Sequence, residues 1–123
     1  MDVSKLNVEG EWLELEVENK DFGTFKVLIV PRHYSGLANM VMKDDMTRFL
    51  TTLVVDWNLK DGKKKIECTL DNKMKYLSVL ASWKITNPKY AEKGMMFQNV
   101  GTEIIAFAQN IKNFTKNSKP ISN

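Results

Sequence analysis

The sequence predicts an α+β fold in one domain: an N-terminal β-hairpin followed by three or four amphipathic helices. Three observations carry this. Residues 11–18 alternate apolar and acidic side chains with period two, the mark of a strand with one wet and one buried face. Residues 46–54 then switch to helical spacing. The whole chain is 123 residues, 43% hydrophobic and 27% charged, near the usual size of a single domain and able to bury a core without disulfide or metal.

The first strand reads E-W-L-E-L-E-V-E, with Leu13, Leu15 and Val17 on the inner face and glutamates opposite. Asn19-Lys20-Asp21-Phe22-Gly23 has turn chemistry, and Thr24–Val30 forms the returning strand, stopped by Pro31. The outward glutamates also discourage edge-to-edge pairing. Asp44 and Asp45 suit the positive end of a helix, and Met46, Phe49, Leu50, Leu53 and Val54 complete its apolar stripe. Val55, Trp57 and Leu59 alternate briefly before Asp61-Gly62 turns the chain.

A further helix is expected from an N-cap at Asp71, with Met74, Leu77, Leu80 and Ala81 on one stripe, Tyr76 and Trp83 beside it, and Asn87-Pro88 ending it. The last helix is expected over residues 100–114, with Val100, Ile104, Phe107, Ala108, Ile111 and Phe114 on one face. Residues 1–10 and 115–123 are polar enough to fray. Between the last two helices, residues 87–99 make a long connection.

Chemistry is sparse. One cysteine, Cys68, and one histidine, His33, exclude an intramolecular disulfide and the multi-cysteine or two-histidine metal motifs. Glycine-rich phosphate loops, dinucleotide fingerprints and nucleophile elbows are missing. Asp44-Asp45 reads as a first-turn pair, and Asp56, Asp61 and Asp71 lack the spacing of a calcium loop. No catalytic residue, metal or cofactor is predicted, and the expectation is a non-enzymatic protein. Negative charge around Cys68, beginning with Glu67, is expected to disfavour its thiolate.

The net charge of +3 conceals a split. Residues 1–22 carry seven acids against two lysines, while the remainder is strongly basic. Only Arg32 and Arg48 among the bases are arginine, so the planar fork that grips phosphate and guanine is scarce. Lys60, Lys63, Lys64 and Lys65 beside Trp57 are the minimum for weak single-strand binding, and the reading preferred for them is a solvated turn. The segment Met1–Lys5 has no signal-peptide pattern and no stretch has the length of a membrane span, so a cytoplasmic location without membrane contact is expected.

Apolar residues outside the good periodicities point to a partner. Met40-Val41-Met42 and Met95-Met96-Phe97 are flexible, polarisable clusters of the type that adapts to varied apolar surfaces. Met40, Met42, Met95, Met96 and Phe97 are therefore the candidate partner-binding residues, with core plugging under long connections as the alternative.

Leu53-Val54-Val55-Asp56-Trp57-Asn58-Leu59-Lys60-Asp61-Gly62-Lys63 resembles a stretch of the tail assembly chaperones and allied small tail proteins of long-tailed bacteriophages. There, an apolar helix end runs into a tryptophan turn and then a threonine-flagged helix start, which Cys68-Thr69-Leu70-Asp71-Asn72 would supply. Trp57, Asp61 and Gly62 would form that structural turn. In this chain Asp61 and Gly62 are adjacent and a lysine run follows, two departures from the pattern. The resemblance implies a chaperone of the host cytoplasm that binds a tape-measure protein or tail-tube subunit, with a homo-oligomer as a further option. A virion component, such as a tail completion or connector subunit, and a weak nucleic-acid-associated regulator are the alternatives.

Overall fold

A computed structural model describes residues 1–32, 43–91 and 98–115. The five candidate residues Met40, Met42, Met95, Met96 and Phe97, together with His33, lie outside them.

The expected hairpin is present. Strands β1 (Glu11–Glu16) and β2 (Thr24–Ile29) pair antiparallel from Glu11↔Ile29 to Glu16↔Thr24. Leu13, Leu15, Phe25, Val27 and Ile29 point inward, as the alternation requires. The turn between the strands is a single 3-10 turn at Lys20–Phe22. Asn19 Oδ1 accepts the Asp21 amide at 3.1 Å, and Gly23 takes φ 74°, a left-handed conformation that a side chain would strain.

The sheet has a third strand that the hairpin reading lacked. Helix α1 (Lys43–Leu53) leads directly into β3 (Val54–Trp57), which pairs antiparallel with β2 to give the order β1-β2-β3. The register shifts between Leu28 and Ile29, so the ladder bends there. Beyond it, Asn58 prolongs the pairing: its amide donates to Lys26 O, its Oδ1 accepts Lys26 N–H, and its Nδ2 donates to Thr24 O. Trp57 therefore belongs to a strand and not to a turn. The turn follows in a small hairpin, β4 (Lys60–Asp61) with β5 (Lys64–Lys65). Gly62 opens its two-residue loop at φ 64°, and Lys63 has no such positive φ, the pattern of a II′ turn.

Helix α2 (Leu70–Leu80) begins two positions earlier than Asp71 as N-cap would allow. Thr69 is the cap, its hydroxyl accepting the Asn72 amide at 3.2 Å, and Asp71 lies in the first turn. The helix also stops well before Asn87-Pro88. Ala81 is the C-cap, after which the chain leaves the helix, and Lys84–Asn87 runs beside the end of β1. Glu18 N–H donates to Lys84 O, Thr86 N–H to Glu16 O, and the Asn87 amide side chain accepts from Glu16 N and donates to Glu14 O. The unpaired edge of β1 needs these partners, and that demand overrides the local helical pattern.

Helix α3 (Val100–Gln109) starts at a capping box between Asn99 and Thr102. It ends earlier than expected, at Asn110, and a short 3-10 turn, Ile111–Phe114, follows. The change of path turns Ile111 outward, 54% exposed, while Phe114 remains buried. Three α-helices are thus present among the described residues, fewer than the four the sequence allowed. Residues 1–10, expected to fray, carry an antiparallel bridge from Leu6 to Thr115, and Asn7 N–H donates to Phe114 O at 2.7 Å.

The core lies between the inner sheet face and the helices, with Leu50, Leu53, Leu77, Ile104, Ile105 and Phe114 fully enclosed. Gly101 lets α3 start against the end of α2: a Cβ there would lie 3.0 Å from Met46 Sδ and 3.2 Å from Ala81 O. Glu103, 1% exposed, is the charged member of this core. Its carboxylate accepts the amides of Lys89, Tyr90 and Ala91 at 2.6, 2.9 and 2.9 Å, and so fastens the connection after β1's covering segment.

Trp57 is 1% exposed, and its indole N–H donates to Ile66 O at 2.8 Å. Truncation to Ala removes this buried side chain and should cost about 3–5 kcal/mol. Trp57→Phe keeps most of the packing and orphans the Ile66 carbonyl, for a smaller loss of about 1–3 kcal/mol. Urea denaturation followed by far-UV circular dichroism should give that ranking; a Trp57→Ala variant as stable as the parent would contradict the buried placement.

Candidate functional site

An apolar groove of about 660 Å³ opens beside α2. One wall is helical, formed by Tyr76, Val79, Leu80 and, just past the helix, Trp83. The other wall comes from the β1–β2 turn and the start of the small hairpin, with Phe22, Phe25, Leu59 and Ile66. Trp57 lies behind both walls. Its ring meets Tyr76 edge-on at 6.3 Å and 87°, while its N–H holds Ile66.

Two residues here are exposed in a way that core packing does not explain. Phe22 is 63% exposed, although it stacks on the half-buried Trp83 with centroids 4.6 Å apart and planes tilted by 58°. Val79 is 54% exposed on the helix. The 3-10 turn and the left-handed Gly23 hold Phe22 at this rim. A phenylalanine among Asn19, Lys20, Asp21 and Gly23, all exposed, was a signal in the sequence, but the turn assignment absorbed it.

The sheet edges offer less. β1 is covered by Lys84–Asn87, and on β3 the Trp57 amide is taken by its neighbour Asp56, Oδ1 at 2.8 Å.

Of the residues assigned to the structural turn, Asp61 closes β4, Gly62 begins the loop, and Trp57 sits three residues before β4 on its own strand. Charge at this end is basic. Lys60 lines the groove, Lys75 Nζ lies 5.2 Å from the centroid of the Tyr76 ring, and Lys65 pairs with Asp56 at 3.3 Å. Lys73 is turned away, donating to Thr51 O.

Among the described residues no group of three or more histidine, cysteine, aspartate or glutamate side chains could hold a metal ion, and no helix is long and apolar enough to cross a membrane. Cys68 is half-buried near this region. Burial pushes its thiol above the ordinary value; Lys73 opposes the rise, Asp56 adds to it and Lys65 again opposes it. Burial is thus the leading cause, and Asp56 supplies the negative charge that Glu67 was expected to supply.

No family model matches the chain, and neither a curated protein nor a solved structure is significantly similar to it.

A raised thiol value means less thiolate at any given pH. The pH–rate profile for iodoacetamide alkylation of Cys68 should lie at higher pH in the folded protein than in urea. Superimposable profiles, or faster reaction in the folded state near neutrality, would contradict the assignment.

Proposed function

We propose that this chain is a non-enzymatic binding protein that holds an apolar helical segment of another protein in the groove between α2 and the β1–β2 turn. The observation that carries the reading is the rim itself: Phe22 and Val79, largely exposed, stand at the mouth of a groove walled by Tyr76, Leu80 and Trp83. Solvating such a surface is unfavourable, at roughly 25 cal/mol per Å² of apolar area, and a partner that covers it recovers that free energy.

The narrower reading is a tail assembly chaperone of a long-tailed bacteriophage, acting in the host cytoplasm on a tape-measure protein. It draws on the resemblance over Leu53–Lys63. One feature of the fold accords with it, Thr69 capping the helix after the small hairpin, while the Trp57 segment departs from it in being a strand. A long, apolar, helix-rich client is the kind of partner such a groove suits.

Co-expression with the tape-measure protein encoded in the same genome, followed by size-exclusion chromatography, tests this. The two should co-elute, and Phe22→Ser with Val79→Ser should abolish co-elution. Because both side chains are largely exposed, the double variant should keep the parent's far-UV spectrum and lose little stability, on the order of 1 kcal/mol or less. Separate elution of the unmodified pair would overturn the narrower reading. Retention of the protein in purified virions would favour a structural tail component instead.

A further inference from the structure

We propose that the occupant of the groove is an acidic amphipathic helix: a helix whose apolar stripe enters between α2 and the β1–β2 turn and whose flanking positions carry glutamate or aspartate. The inference rests on the groove being the partner surface and adds the chemistry of the partner.

The helical form follows from the backbone. An extended segment needs a free sheet edge to satisfy its amides and carbonyls, and part of each edge is already taken, β1 from Glu14 onward by Lys84–Asn87 and the Trp57 amide of β3 by Asp56. A helix satisfies its own backbone and offers only side chains, which is what an apolar groove accepts.

The acidic flanks follow from charge at the lip. Lys60 and Lys65 stand directly opposite each other in the small hairpin, an unfavourable arrangement for two cations. Asp56 neutralises Lys65 at 3.3 Å, leaving Lys60 at the groove without an ion pair among the described residues. Lys75 sits over Tyr76 on the helix wall, likewise without one. Asp21 is the carboxylate of the lining, at the turn end. Residues 54–91, which supply the helical wall and the small-hairpin part of the other, carry eight lysines against four acids, whereas the turn side, residues 17–25, carries Glu18 and Asp21 against Lys20. A helix flanked by carboxylates would neutralise Lys60 and Lys75, whereas one flanked by lysines would be repelled.

Two synthetic helical peptides test this on the full chain by isothermal titration calorimetry. Both carry the same leucine and phenylalanine stripe at i, i+3, i+4 and i+7; one is flanked by glutamates, the other by lysines. The glutamate peptide should bind about tenfold more tightly at low salt, with the gap closing as salt is raised. Lys60→Glu with Lys75→Glu should reverse the preference. The neutral pair, Lys60→Gln with Lys75→Gln, should erase it with the fold intact by circular dichroism. Equal binding of both peptides, or preference for the lysine peptide, overturns the acidic assignment and leaves the groove reading standing. Binding of neither, or binding unchanged by Val79→Asp, removes the groove reading as well. An oligothymidylate that binds where both peptides fail would assign the groove to nucleic acid and overturn the proposal.

Discussion

The indole of Trp57 is the contact on which the groove depends. It sits on the last position of β3, so the sheet fixes its place through the pair with Val27. From there its N–H reaches Ile66 O, and its ring meets Tyr76 edge-on. The first contact holds the base of the small hairpin and the second fixes the helix wall. An aromatic pair of this geometry adds about 0.5–1.5 kcal/mol beyond the area it buries, and the hydrogen bond prevents a buried carbonyl from going unpaired. One side chain thus sets the spacing between Ile66 and Tyr76, the two walls between which a ligand would lie.

The rest of the fold keeps that site from competing with other modes of association. Lys84–Asn87 covers the edge of β1 from Glu14 onward, and Asp56 occupies an amide of β3 while pairing with Lys65. These contacts leave fewer free backbone groups at the sheet edges for another chain to pair with. Glu103 contributes from the far side. By gathering three amides from residues 89–91 it ties the connection to α3, and Val100 N–H, donating to Trp83 O at 2.9 Å, fixes the end of the helix wall from the same helix.

Local pattern made the hairpin and α1 legible, because alternation and the stripe from Met46 to Val54 are satisfied within a few residues. Helix α2 was harder. Leu80, Ala81 and Trp83 continue a helical spacing, yet the chain turns away because β1, about seventy residues earlier, needs hydrogen-bond partners, and no local window contains that demand. The third strand was hidden for a similar reason: Val54–Trp57 is too short to announce itself and is defined by pairing with β2. The groove was legible only in fragments. Trp57, Asp61 and Gly62 stood out, but Phe22 was read as part of a turn and Val79 as part of a helix. Their meeting across the groove with Trp83 is a tertiary fact. Glu103 had a visible signal, a lone acid among Val100, Ile104, Ile105 and Phe107. Met40, Met42, Met95, Met96 and Phe97 lie outside the described residues.

The central claim is that a partner docks between α2 and the β1–β2 turn, against walls set by Trp57. Hydrogen–deuterium exchange of the co-purified complex, compared with the free protein, tests it most directly. The account predicts slower amide exchange in residues 20–25, 58–66 and 76–84 when the partner is bound, with β1 from Glu11 to Glu16 unchanged. Protection confined to the outer sheet face, or to none of those three segments, would contradict it.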